Sequence, residues 1–231
     1  MNVFSISVLG LFFALSVFHL FCSFCQYLNL SSNFKKSCVI YADYTKPVLL
    51  PVLCLFAILT LLNNGATNKT VLILCGALVF GAVGDFILLN PLDKRYFVAG
   101  TLSFLAGHIC FLCLLTTEFF WQQRMLIYTT VISGIFSVGA WLLNGHKKGP
   151  SGAVILVYGF ILFVQLSSGI QNLVNHDSFG IFQTIGGALF IVSDGVLSFT
   201  LFTKDFKFSR FLIMLTYLLA EMFLTFAVIN L

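Results

Sequence analysis

The sequence predicts an all-α integral membrane protein, a bundle of eight transmembrane helices in one polytopic domain over residues 1–231. Three observations carry that prediction. Charge is scarce: Asp, Glu, Lys and Arg make up 9% of the chain, against about 25% in a soluble protein. Hydrophobic residues make up 59%, and the mean hydropathy is +1.03. The apolar runs are about 20 residues long and unbroken, the length of a spanning helix and not the short alternation of barrel strands.

The spans are expected near 3–28, 45–63, 70–90, 96–117, 123–143, 150–172, 180–202 and 209–230. The first lacks a basic leader, and its apolar stretch is too long for a cleavable signal peptide. The loops between spans hold the breakers and charges: SSNFKKS, NNGATNK, NPLDKR, NGHKKGP, NHDS and TKDFK. Pro47 and Pro150 are expected at helix starts, where a missing N–H costs nothing. Pro51 falls in the first turns after Pro47, and Pro91 lies just past a helix end.

Basic residues set an orientation. The odd-numbered loops hold Lys35, Lys36, Lys46, Lys94, Arg95, Lys147, Lys148, Lys204, Lys207 and Arg210, and the even-numbered loops only Lys69 and Arg124. By the positive-inside rule the odd loops face the cytoplasm and both termini face outward. The host would be an inner or plasma membrane in a bacterium and the endoplasmic reticulum in a eukaryote. The net charge of +4 is small and dispersed, which argues against nucleic-acid binding. Asn68-Lys69-Thr70 has the form of a sequon but lies close to the membrane. The seven cysteines include two CxxC pairs, Cys22/Cys25 and Cys110/Cys113. Within apolar runs they read as small packing residues, and no disulfide framework is implied.

Two stretches stand out. Gly76 to Leu89 reads GALVFGAVGDFILL, and Gly186 to Ser198 reads GGALFIVSDGVLS. Each places one carboxylate, Asp85 or Asp194, within a spanning segment, where it costs on the order of 3 kcal/mol. An offset of 109 superimposes Asp85 on Asp194, Gly84 on Ser193, Leu88 on Leu197 and His108 on Tyr217. This suggests a 4+4 repeat, parallel because each half has an even number of spans.

The orientation sets depths. Asp85 and Asp194 both fall in the cytoplasmic third of their helices. His108 lies roughly 18 Å in, and Glu221 is about as deep. Tyr158 and Tyr217 occupy the cytoplasmic half, and Lys46 starts the second helix. Helical spacing puts Ala77, Gly81, Gly84, Asp85 and Leu88 on one face, and Gly100, Ser103, Gly107 and His108 on another. Gly186, Gly187, Phe190, Ser193, Asp194 and Leu197 share a third face. Small residues let membrane helices approach closely, so these faces turn inward. Tyr158, Leu162, Gln165, Gly169 and Asn172 line one face of the sixth helix, and Tyr217 and Glu221 stack at i, i+4 on the eighth. The simplest arrangement is one polar cavity, open to the cytoplasm, lined by helices three, four, six, seven and eight. The same polar groups also have structural readings: the carboxylates, His108 and Glu221 as satisfied core residues, Tyr158, Tyr217 and Gln165 as interhelical glue. His19 receives no role, and His146 and His176 are loop residues.

Two carboxylates sharing a low-dielectric cavity lose their protons in separated steps, so one can act as acid while the other remains a base or charge stabiliser. There is no G-x-S-x-G elbow, no His-Glu-x-x-His motif and no phosphate-binding glycine loop. Of the histidines only His108 sits at cavity depth, so a three-histidine zinc site is not expected, and no metal or cofactor is called for. What remains on the enzyme side is metal-free acid–base chemistry on a lipid-like substrate. Intramembrane carboxylates and a repeat suit an ion-coupled transporter of lipids or small molecules equally well on physical grounds.

Several stretches resemble the YhhN family of lysoplasmalogenases, eight-span membrane hydrolases. They are TKP at Thr45–Pro47, FGAVGDFIL around Asp85, AGTLSFLAGHICF around His108, VY at Val157–Tyr158, GGALFIVSDGVLS around Asp194, and RFLIMLTYLLAE from Arg210 to Glu221. Members often carry Gln where Glu221 stands and Ala where Gly107 stands. The resemblance implies hydrolysis of the vinyl-ether bond of a lysophospholipid, lysoplasmalogen, to a fatty aldehyde and glycerophosphoethanolamine or glycerophosphocholine. It implies catalysis by Asp85, Asp194 and His108, and substrate contacts from Lys46, Tyr158, Tyr217, Glu221 and Gln165. Lys46, with Lys94 and Arg95, would hold the phosphate, and the alkenyl chain would lie among Phe side chains beside membrane lipid. The oligomeric state is left open.

Overall fold

Eight helices follow one another without a strand among the described residues: α1 Val3–Cys25, α2 Ser32–Asn63, α3 Asn68–Ile87, α4 Lys94–Leu115, α5 Gln123–Leu143, α6 Pro150–Val174, α7 Gly180–Phe202 and α8 Ser209–Ile229. All eight are long and apolar enough to cross a membrane. The computed structural model describes residues 2–89, 94–116, 122–143, 150–175 and 177–231, the side chains of 94, 123, 143, 150 and 151 excepted. Pro91, His146, Lys147, Lys148, His176 and the side chain of Lys94 lie outside the described residues.

Most helix boundaries fall within a few residues of expectation, but α2 departs from it. SSNFKKS, read as a loop, forms the first turns of a helix of 32 residues. Ser31 caps it, its Oγ accepting from the Phe34 N–H at 3.4 Å. At about 1.5 Å per residue this helix is ~48 Å long, well beyond a hydrocarbon core of ~30 Å, so its first turns extend past the membrane. Pro47 and Pro51 therefore lie inside α2 and not at its start. Each removes one backbone donor, a loss that packed membrane helices tolerate. Local sequence alone could not show this, because the polar first turns carry no hydropathy signal.

Sequential helices pack as neighbours, α1 on α2, α2 on α3, α3 on α4, and α5 through α8 in turn. Helix α8 joins the two sets by touching α1, α2, α4 and α7. Those contacts bury Ala220, Leu224, Thr225, Ala227 and Val228 of α8. The main core gathers Leu49, Leu50, Leu53 and Phe56 of α2, Leu74 and Leu78 of α3, Phe111 of α4, Phe190 of α7 and Leu224 of α8. Cys22, Cys25, Cys38 and Ala42 form a separate small cluster between α1 and α2.

Close helix approaches explain several glycines. A Cβ on Gly169 would meet the Thr184 backbone nitrogen at 2.9 Å, so α6 and α7 touch backbone to backbone there. A Cβ on Gly81 would meet the Leu50 Cδ1 at 2.6 Å and the Glu221 Oε1 at 3.4 Å. That gap admits the α8 carboxyl beside α3. The turn before α8 is pinned to α1. Phe208 has φ of 70°, a rare conformation for a bulky residue. Its ring stacks on Phe24 at 5.3 Å and lies 5.1 Å from Tyr27.

Candidate functional site

The two carboxylates of α3 and α7 reach the bundle interior by the same local means. Each follows a small residue, Gly84 or Ser193, that lets a neighbour pack close. The Phe104 ring of α4 lies against Gly84, where a Cβ would sit 2.7 Å from its Cε2. The Ser193 hydroxyl donates to the Ile213 carbonyl of α8 at 3.1 Å.

Their partners differ. Asp85 is fully buried and both its oxygens are engaged: Oδ1 lies 3.3 Å from the Lys46 Nζ, and Oδ2 accepts from the Tyr217 hydroxyl at 2.8 Å. Asp194 accepts a hydrogen bond from the Tyr158 hydroxyl at its Oδ2. No partner of its Oδ1 is found among the described residues, and no cation pairs with it. The two carboxylates are within electrostatic reach of each other and of Glu221.

His108 projects from α4 into the same layer. Its ring meets Phe190 edge-on at 4.2 Å and lies 5.8 Å from the Tyr158 ring. Its Nδ1 pairs with the Gln165 Oε1 at 3.1 Å. With the amide oxygen accepting, Nδ1 carries the proton and Nε2 is a bare acceptor, which has no partner among the described residues. Phe104 and Phe190 flank the Tyr217 ring at 5.9 and 5.6 Å, both nearly perpendicular to it. These rings hold the phenol against Asp85. Gln165 is fully buried on His108, while Glu221 is buried between α8 and α3 with its Oε2 unpartnered among the described residues.

The expected single cavity is divided in two. The first, of about 110 Å³, is mostly apolar and lies among α4, α5, α6 and α7. Phe97, Phe104, Leu162 and Phe163 line it, with Thr101, Tyr158, Asp194 and Ser198 as its polar side chains. The second, of about 140 Å³, is polar and lies where α1, α2 and α8 meet, with His19, Asp43, Lys46 and Arg210 in its wall. Leu88 and Leu197 line both. Each stands three residues beyond its carboxylate, one helical turn toward the same end of the bundle. The division arises because these two large side chains meet where the sequence pattern indicated a continuous polar face. Helices α1, α2 and α5, absent from the expected lining, contribute to it. Asp85, Tyr217, His108, Gln165 and Glu221 lie in the packed interior beside these spaces and are not part of either wall.

His19, which receives no role from the sequence, has a defined setting in the fold. It is 2% exposed, its Nδ1 pairs with the Thr45 Oγ1 at 2.8 Å, and it lines the polar cavity beside Lys46. Asp43 and Arg210 were likewise not singled out. A signal was present for the histidine: Ser16, His19 and Ser23 recur at helical spacing on one face of α1, and all three are buried. No such signal marks Asp43 or Arg210, because charges at a helix end are usually solvated.

A model of the YhhN family matches residues 41–228, which include Lys46, Asp85, His108, Tyr158, Gln165, Asp194, Tyr217 and Glu221 but not His19. Lysoplasmalogenase TMEM86B of Mus musculus is 32% identical over 174 residues, covering 75% of this chain and 70% of that protein. The Homo sapiens protein of that name is 30% identical over 177 residues, covering 76% and 71%. The Rattus norvegicus protein is 32% identical over 175 residues, covering 76% and 68%. No solved structure matches the chain.

Proposed function

The chain belongs to the YhhN family, and from that membership and the unequal surroundings of its two carboxylates we propose that it hydrolyses the vinyl-ether bond of lysoplasmalogen. The products are a fatty aldehyde and glycerophosphoethanolamine or glycerophosphocholine. The relatives named for this activity support the reaction class.

The observation that carries the mechanism is the asymmetry of Asp85 and Asp194. A vinyl ether is cleaved by protonating the alkene carbon that is not bonded to oxygen, which creates an oxocarbenium ion at the carbon bonded to oxygen. Asp194 suits the acid: it lines the apolar cavity, and one of its oxygens has no partner among the described residues. Asp85 suits the charge stabiliser, since a cation and a phenol hold both of its oxygens. Its negative charge is in place before the cation forms and needs no rearrangement to meet it.

Water then adds to the oxocarbenium carbon, and its proton passes to the Asp194 carboxylate left by the first step. The acid is thereby restored. The hemiacetal collapses by moving its hydroxyl proton to the glyceryl oxygen, which leaves with the bonding pair. The bare Nε2 of His108 orients the water, and Tyr158 keeps Asp194 in one rotamer. Lys46, at the polar cavity, faces both Asp85 and the phosphate end of the substrate. The basic end of the bundle is the cytoplasmic one in this reading.

Aldehyde release from lysoplasmenylethanolamine by detergent-purified protein tests the proposal. The parent should release aldehyde from the vinyl ether and none from a saturated alkyl-ether analogue. Asp85→Asn and Asp194→Asn should each lose turnover while remaining folded. Full release by both variants would overturn the mechanism. Uptake of substrate into proteoliposomes with no aldehyde formed would favour an ion-coupled carrier instead.

A further inference from the structure

The polar cavity contains opposite charges that do not pair. Asp43 and Arg210 both line it, yet neither has a hydrogen bond or ion pair to its side chain among the described residues. Lys46, also in its wall, directs Nζ at Asp85 and is 22% exposed, which leaves donors of its ammonium free for a ligand. His19 in the same wall is 98% enclosed, since it is only 2% exposed, and its Nε2 has no partner. A cavity that holds Arg210 and Asp43 apart, with Lys46 turned toward Asp85 and the unpartnered Nε2 of a buried imidazole in its wall, is complementary to a compact zwitterion.

The placement of Arg210 is fixed by the fold. Its backbone N–H donates to the Tyr27 hydroxyl at 3.2 Å, and the adjacent Ser209 hydroxyl donates to the Asp205 Oδ1 at 2.7 Å. Phe208, with its positive φ, lies between Tyr27 and Phe24. The start of α8 is therefore tied to the end of α1, and the guanidinium emerges at the polar cavity. Arg210 and Gln26 also line an outer, open recess with Lys35 and Lys36, so the cavity continues toward the basic end of the bundle.

We propose that this cavity is the headgroup site for a phosphate ester that carries an ammonium. Arg210 and Lys46 hold the phosphate, Asp43 holds the ammonium, and His19 closes the inner wall. Leu88 and Leu197 mark the passage to the apolar cavity, where the hydrocarbon chain lies. The scissile region then falls between the two carboxylates. This rests on the hydrolase reading above in its last step only; the headgroup site itself does not require turnover. Neither cavity alone reaches the ~300 Å³ of a drug-sized ligand pocket, and the assignment gives the headgroup to one and the chain to the other.

Binding of three non-cleavable 1-alkyl glycerols tests the assignment: the free alkylglycerol, its 3-phosphate and its 3-phosphoethanolamine. Affinities for the detergent-purified full chain are read by isothermal calorimetry. Arg210→Gln should weaken both phosphate-bearing ligands about tenfold and leave the alkylglycerol unchanged. Arg210→Lys should recover part of that loss, which a merely misfolded variant would not. Asp43→Asn should weaken the phosphoethanolamine about tenfold and spare the phosphate. Equal loss for all three ligands, or no loss for the phosphoethanolamine in either variant, would overturn the headgroup site. Because none of these ligands is cleaved, the expected pattern without aldehyde release from the vinyl ether would sink the hydrolase reading alone. Aldehyde release without the pattern would sink the headgroup site alone.

Discussion

Lys46 of α2 and Asp85 of α3 meet inside the bundle, Nζ to Oδ1 at 3.3 Å, and theirs is the ion pair found among the described residues. The carboxylate is buried and the ammonium is partly open to the polar cavity. The pair thus joins the protein interior to the space proposed for the headgroup. Across the site, Asp194 accepts from a phenol and has no ion pair among the described residues. That difference turns two similar sequence motifs into two different chemical environments.

Removing the ammonium should be costly. Lys46→Met leaves the Asp85 carboxylate buried with Tyr217 alone, and the expected loss is about 3 kcal/mol of stability, the lower end for a broken buried pair because Lys46 is partly exposed. The double variant Lys46→Met/Asp85→Asn should regain most of that stability and remain inactive. Thermal unfolding in detergent, read beside aldehyde release, checks both statements; a double variant no more stable than Lys46→Met would refute the pairing argument.

The two phenols should not be equivalent. Tyr158→Phe removes the one donor seen on Asp194, whereas Tyr217→Phe leaves Lys46 on Asp85. Tyr158→Phe is expected to lower kcat by roughly tenfold or more with little change in KM, and Tyr217→Phe to lower it less. Steady-state kinetics on lysoplasmenylethanolamine decide the order, and the reverse order would contradict Asp194 as the acid.

The apolar cavity should set chain length. Gly159 lies in its wall, and a Cβ there would meet the Ser137 Oγ at an ordinary 3.5 Å. Gly159→Ala is therefore expected to fold and to take up part of the space. The ratio of kcat/KM for short-chain over long-chain substrates should rise about fourfold, corresponding to one displaced methylene. An unchanged ratio would place the chain elsewhere.

Glycine substitutions should separate contact from open surface. Gly169→Ala forces a Cβ to within 2.9 Å of the α7 backbone and should cost about 1–3 kcal/mol. Gly134→Ala and Gly139→Ala, on α5, meet nothing within 4 Å and should be neutral or slightly stabilising. Comparison of unfolding midpoints in one detergent tests this, and equal losses at all three sites would argue against the α6–α7 contact.

Much of the site was legible in the chain itself. An aspartate within an apolar run is conspicuous because lipid makes it expensive, so Asp85 and Asp194 could be chosen with no neighbour known. Small residues at i−4 and i−1 indicated that Asp85 faces inward, and it is buried. Tyr158, Tyr217, His108 and Gln165 were identifiable as polar groups on inward faces of their helices. The pairings were not. Nothing in α8 specifies that Tyr217 belongs to Asp85 and not to Asp194, since the offset of the two motifs equates it with His108. Asp43 and Arg210 stayed inconspicuous for a related reason, as each is unremarkable on its own helix, and the polar face of α1 that carries His19 gains meaning only beside them.

The sequence by itself determined the number of helices, their approximate bounds and the inward face of those that carry polar residues. Hydropathy and the 3.6-residue period are properties of a single segment, and lipid enforces them strongly. Only the tertiary structure decided which phenol meets which carboxylate, where α2 begins, and that Leu88 and Leu197 divide the interior into an apolar and a polar space. Those outcomes depend on how closely helices distant in sequence can approach. That distance is set by side-chain volumes on both partners at once and is written in neither helix alone.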